Sequence, residues 1–302
     1  NRKVSGLRPQ HLTAIKILQK IVNAEVIGAE IGSTELKFIP NNIESLQLVE
    51  DVGTAGSISL ILQVLIPVIA SSQKKLDLKI KGGTDVLWSP SFDYTQHVLR
   101  EAFSRMGIEF SLELCKRGYY PKGGGEINLH VKPSKIKSIL LTKRKTKTIK
   151  IICTFSKLLK EDMENKIEEI KEKLVERNFI VNTQIKNQDA IDSGASLLIF
   201  SIDENSINGI DGLYDKKTKK FSLDLNKFYK NSLGVDENLV DMLVPVASLG
   251  PEKTIFHIKN ISKHLETNLF VTSKITGCRY GIGKINDGFE VIIEGVSYSS
   301  IK

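Results

Sequence analysis

The sequence predicts an α/β (α+β) fold built by duplication, with a small α/β domain inserted into it. Three observations carry this. A rhythm of one helix followed by strands recurs up to Val131. Near Leu141 the texture changes to lysine- and glutamate-rich sequence without glycine motifs. Beyond Lys230 the first texture returns. The expected boundaries are residues 1–145 and 231–302 for the large domain and 146–230 for the insertion.

The elements follow in order. Residues 11–23 read as a helix, followed by strand-like segments at 25–27 and 34–39. The apolar stretch 57–71 reads as a second, buried helix, with a strand at 76–80. A third helix is expected over 93–106, from the spacing of Val98, Ala102 and Met106, and two strands over 109–115 and 126–131. The second strand alternates, with Ile127, Leu129 and Val131 on one face and Asn128 and His130 on the other. After a basic run at 142–147 comes a strand at 148–154. An amphipathic helix over 159–177 follows, striped by Met163, Ile167, Ile170 and Leu174. Strands at 179–185 and 196–203, a helix at 239–248 and a strand at 253–259 lead to a last helical segment containing His264. Ser262 or Thr267 is expected to cap it, with Leu265, Leu269 and Ile275 as its buried stripe.

Composition narrows the function. The net charge of +8 favours a polyanionic partner, nucleic acid or nucleotide first, although a lysine-rich surface gives the same number. The three cysteines form no CxxC pair, which argues against a zinc knuckle or a disulfide framework and for a reducing, cytoplasmic setting. The longest apolar run, Ile58 to Ala70, is too short to span a bilayer and carries Gln63 and Pro67, so no membrane partner is expected. The sequence opens at Asn1 rather than Met, so a preceding segment is expected, and no signal peptide is seen.

Chemistry-bearing residues are scattered. His264 stands at a helix start, where imidazolium is disfavoured and the neutral, nucleophilic ring is favoured. The competing reading is a histidine bonded to its own turn. Gly53-Thr54-Ala55-Gly56-Ser57 precedes an apolar helix, either as an anion cradle or as a glycine turn capped by Ser57. It is no Walker P-loop, because no Gly-Lys-Ser/Thr follows. Gln63 places an amide two turns into that helix, for a ligand or for a core hydrogen bond. Gly82-Gly83-Thr84-Asp85 ends a strand. Arg117-Gly118-Tyr119-Tyr120-Pro121-Lys122 with Gly123-Gly124-Gly125 joins cations, aromatics and glycines, suited to phosphate and base or to a long hairpin loop. Arg2, Arg8 and Gln10 stand before the first helix, as a terminal-phosphate site or as frayed surface. Asp241, in Asn238-Leu239-Val240-Asp241-Met242, offers an acid to a ribose hydroxyl or adenine amine, or is a helix-start charge. His97 and His130 read as solvent-facing and His257 as part of an alternating strand. No HxH or HExxH spacing occurs, so no protein-built metal site is expected.

Together these segments resemble the RNA 3′-terminal phosphate cyclase family. They are residues 6–14, 53–57, 82–85, 117–125 and 264–268, in family order and spanning nearly the whole chain. The resemblance implies a large domain of repeated βαβαββ units, as in the enolpyruvyl transferases, with a small inserted domain. It implies that ATP adenylylates a histidine, that AMP passes to an RNA 3′-phosphate, and that the 2′-hydroxyl closes a 2′,3′-cyclic phosphate. His264 matches the adenylylated histidine. Gln63 and Asn238, Leu239, Val240, Asp241 and Met242 match ATP-contacting positions. Arg2 and Gln10 match residues near the phosphate site, with Arg117 beside them. The cofactors implied are ATP and Mg²⁺, the metal held mainly through nucleotide phosphates, and the partner is RNA with a 3′-terminal phosphate. The family's Gly-Glu-Gly-Gly-Gly-Gln loop, expected ahead of Arg2, is not in this sequence. The alternative is a non-catalytic cyclase-like RNA-binding protein of ribosome assembly: that missing loop speaks for it, and His264 against it.

Overall fold

A computed structural model describes residues 5–44 and 46–296. The chain divides into two compact units. One comprises Asn1–Phe92, Glu109–Ser134 and Gln188–Gly194; the other comprises Asp93–Ile108, Lys135–Asn187 and Ala195–Lys302.

In the first unit, α1 (Pro9–Ile21) opens with proline at a position whose N–H no helix bond needs. It is followed by the antiparallel pair β1 (Glu25–Ile27) and β2 (Lys37–Ile39). Then come β3 (Leu46–Asp51), α2 (Ile58–Ser71) and β4 (Leu76–Gly82). β5 (Phe110–Lys116) and β6 (Gly125–Val131) complete a four-stranded sheet in the order β3-β4-β6-β5. β3 and β4 run parallel, and β6 is antiparallel to both β4 and β5. The alternation of β6 places Ile127, Leu129 and Val131 inside, as expected. α2 buries Ile58, Ile61, Leu62, Leu65, Ile66 and Ile69.

The second unit contains the helical stretch between β4 and β5. It begins as α3 (Phe92–Tyr94), passes through a π-helical turn at Thr95–Leu99 and ends as α4 (Arg100–Arg105). Within it His97 stacks on Phe200, with ring centroids 5.5 Å apart, and is half-buried rather than solvent-facing. The extra residue of the π turn shifts the register that places it. Next come β7 (Leu140–Leu141), β8 (Thr148–Ser156), α5 (Lys160–Val175), β9 (Ile180–Asn187), β10 (Gly194–Asp203), β11 (Ser206–Asp215), β12 (Lys220–Phe221) and α6 (Leu225–Tyr229). β8 to β12 form one sheet, ordered β12-β11-β10-β8-β9. Its core gathers Ile151, Phe155, Leu197 and Ile199 against Met163, Ile167 and Leu174 of α5.

The remaining elements are α7 (Glu237–Ala247), β13 (Lys253–Ile258), α8 (Lys263–Thr276), β14 (Arg279–Ile285) and β15 (Gly288–Glu294). With β7 they form a sheet ordered β14-β15-β13-β7. β7 and β13 are parallel, and β15 is antiparallel to both β13 and β14. This is the same path as β3-β4-β6-β5: the first strand pairs parallel with the second, and the fourth lies between second and third. The chain thus contains two βαβαββ units of one topology, and β8 to α6 is threaded between the first strand and first helix of the second unit.

Candidate active site

Ser262 caps α8, its Oγ accepting from the Leu265 amide at 3.0 Å. Leu265 and Leu269 bury the inward face. Ile275 does not continue that stripe and is 79 % exposed. Six residues beyond Leu269 correspond to about 240° of helical rotation, off the inward face. His264 is thereby presented on the exposed side of the first turn.

One turn later, Asn268 donates its Nδ2 to the Asp241 carboxylate at 2.8 Å and to the Asp241 carbonyl at 3.3 Å. This ties α8 to α7 and holds Asp241 near the His264 imidazole. Burial raises the Asp241 carboxyl above its ordinary pKa, while the Asn268 hydrogen bond and the nearby His264 oppose that rise. Asn268 is the residue that single-site reading missed; its i, i+4 relation to His264 puts both on one face and could have revealed it.

α7 is aimed by Asp236. Its Oδ1 accepts from the amides of Asn238 and Leu239 at 3.0 and 2.9 Å, and its Oδ2 from the amide of Gly209 at 2.9 Å. Tyr94 donates its hydroxyl to the same carboxylate at 2.9 Å. Burial pushes Asp236 up to about 6. Burial and the Asp236 charge also raise the Tyr94 hydroxyl well above its ordinary value. Of the five consecutive α7 positions, Leu239 and Val240 are fully buried and face the core. Asn238 is exposed, and Asp241 and Met242 are half-buried. Asn238 also lines a cavity of about 310 Å³ together with Gly209, Asp224, Lys227, Lys230 and Lys259.

The glycine loops meet at one end of the β3-β4-β6-β5 sheet. Gly83 sits where a Cβ would come 2.4 Å from the Ala55 carbonyl, and one on Gly118 would come 2.6 Å from that of Gly82. Only glycine permits such an approach of backbones. Ser57 caps α2 through the Leu60 amide at 3.3 Å, and its own amide donates to Gln10 Oε1 at 3.2 Å. Gln10 is thus fastened to the 53–57 loop. Gln63 is half-buried on α2 and its side-chain amide makes no hydrogen bond among the described residues.

Arg117 is 1 % exposed. Its guanidinium donates to both Asp85 oxygens at 3.0 and 2.8 Å and to Gln188 Oε1 at 2.8 Å, and it lies over the Phe92 ring. Thr84 adds its Oγ1, which accepts from the Gly118 amide at 3.0 Å. As placed, Arg117 locks the 82–85 and 117–125 loops together, while Lys122 carries exposed charge beside them. Arg2 lies outside the described residues. Among the described residues no group of three or more His, Cys, Asp and Glu could hold a metal, and no helix is long and apolar enough to cross a membrane.

Known proteins resemble this sequence over most of its length. The chain is 34% identical over 296 residues to the RNA 3′-terminal phosphate cyclase of Methanosarcina barkeri, covering 97% of this chain and 88% of that protein. It is 33% identical over 286 residues to that of Pyrococcus abyssi, covering 92% and 83%. A solved EPSP synthase from Acinetobacter baumannii matches 96% of this chain and 57% of its own at 11% identity with a TM-score of 0.25, too weak to argue from. A family model described as RNA 3′-terminal phosphate cyclase matches residues 1–282, and the chain belongs to that family.

Proposed function

We propose that the protein converts an RNA 3′-terminal phosphate to a 2′,3′-cyclic phosphodiester at the expense of ATP, through AMP carried on His264. The observation that supports this best is the α7–α8 pairing, which exposes His264 at a capped helix start and ties Asp241, within electrostatic reach of it, to α8 through Asn268.

In the first step an imidazole nitrogen of His264 attacks the α-phosphorus of ATP. A P–N bond forms, the bond to the bridging oxygen breaks and pyrophosphate leaves. An oxygen of the RNA 3′-phosphate then attacks the same phosphorus and displaces the imidazole. The 2′-hydroxyl attacks the activated 3′-phosphorus, losing its proton, and AMP departs. Asp241 lowers the cost of the positive charge the imidazole gains through its nearby carboxylate. Asn238, exposed one turn before Asp241, is assigned to the adenosine, and half-buried Met242 and Gln63 are assigned to the nucleotide by resemblance. Leu239 and Val240 act by packing α7 in place. Gln10 holds the phosphate-side loop, with Arg2 assigned to the same end by resemblance. Arg117 acts by fixing the glycine loops. Mg²⁺, carried on the nucleotide phosphates, would neutralise charge on the departing pyrophosphate. The chemistry is otherwise positioning and electrostatics.

The test is incubation with α-labelled ATP and Mg²⁺, followed by mapping of the label. We expect acid-labile label on His264, and none on His264→Asn. RNA binding without any label would instead support the non-catalytic relative.

A further inference from the structure

We propose that Trp88 and Tyr120 form a base-stacking platform for single-stranded RNA. This rests on the reading of RNA as the substrate. Trp88 is the only tryptophan in the chain. It is 95 % exposed, and its backbone has φ 68°, in the left-handed region that bulky side chains avoid. A large apolar ring held in water on a disfavoured backbone is an outlier of the kind that accompanies binding. The turn is nevertheless built: Ser89 Oγ donates to the Val86 carbonyl at 3.0 Å. Leu87 beside it is 60 % exposed.

Tyr120 is 75 % exposed on the neighbouring loop. The two loops are joined by a parallel bridge between Asp85 and Tyr119 and by the buried Arg117–Asp85 ion pair. Trp88 is three residues beyond Asp85, and Tyr120 one beyond Tyr119. Chain reach therefore keeps their Cα atoms within roughly 20 Å, the span of a short oligonucleotide. Neither side chain makes a hydrogen bond or ring contact among the described residues. Lys122, two residues past Tyr120, is exposed and its side chain has no partner among the described residues, leaving it to contact a phosphate. Exposed aromatics beside a cation suit unstacked bases of a single strand, because every base has a π-face. They suit a folded duplex poorly.

The experiment uses the lone tryptophan as its own reporter. The full chain is titrated with a single-stranded oligoribonucleotide bearing a 3′-phosphate. Tryptophan fluorescence and filter binding are followed in parallel. Quenching is expected to track binding. Trp88→Ala should raise Kd roughly 5- to 150-fold, the range for loss of one stacked base. Trp88→Phe should recover most of that loss, and Tyr120→Ala should weaken binding in the same direction. Circular dichroism checks that each variant folds. RNA binding without quenching, with Trp88→Ala at wild-type Kd, overturns the platform and leaves the RNA reading standing. Absence of RNA binding in the wild type overturns both, whereas labelling of His264 is decided separately by ATP alone. A dimer that separates on Trp88→Ala with RNA affinity unchanged assigns the ring to a second copy of this chain and also overturns the proposal.

Discussion

Asp236 and Asn268 show how much single side chains decide here. Asp236 is raised to about 6 by burial, above the ordinary carboxyl value of 3.8. Its native form therefore holds a proton more tightly than its unfolded form. Stability from this group is complete below about pH 4 and is lost as pH rises through about 6. Asn keeps the capping oxygen without a charge, so Asp236→Asn should gain on wild type as pH rises across that window. The gain is expected to reach about 2–3 kcal/mol by urea denaturation at pH 8 against pH 4. Asn268 acts on Asp241 and not on the reacting atoms. Asn268→Ala should cost about 1 kcal/mol of stability. It should also slow adenylylation of His264 about tenfold with a changed pH–rate profile, which a purely structural loss would not produce. His264 itself was legible in the sequence, because a serine two residues ahead of it signals a helix start. Its partnership with Asp241 was not, since that depends on how two helices pack.

At the scale of elements, legibility followed periodicity. β6 alternates without a break, and α5 carries a regular stripe, so both were readable within a few residues. β3 escaped because Leu46 to Asp51 ends in acids and buries only alternate positions in part. β14 escaped because Gly281 and Gly283 break an exposed edge strand, and α6 because five residues show no period. The glycine loops were visible as motifs, but their mutual packing was not. Arg117 and Asp85 lie 32 residues apart, and nothing in either segment names the other. That ion pair is open to test. Arg117→Met leaves Asp85 charged and buried, and should destabilise by about 3–5 kcal/mol in urea. Adding Asp85→Leu should return much of that stability, because the pair's cost of desolvation goes with it. A double variant as unstable as the single one would mean that the guanidinium's other contacts hold the loops.

At the scale of the whole molecule, duplication and charge carry the argument. Two βαβαββ units share one topology but carry different residues at equivalent helices. α8 carries an exposed histidine in its first turn, whereas the histidine of the corresponding helical stretch, His97, sits mid-helix and stacks on Phe200. The excess of 43 lysines and arginines over 35 acids gives the +8 that favours a polyanion. Such binding must weaken with salt: for single strands log K falls by about 0.7 per phosphate neutralised, per tenfold rise in salt. If three phosphates are met, affinity for a 3′-phosphorylated oligoribonucleotide should drop roughly 20-fold between about 50 and 200 mM salt. Stacking releases no counterions, so the two contributions separate. Trp88→Ala should displace the salt line to weaker binding without changing its slope. Lys122→Ala should flatten the slope by about 0.7. Parallel lines for both variants would mean that Lys122 meets no phosphate, and a flattened slope for Trp88→Ala would mean that the ring acts by placing neighbouring cations rather than by stacking.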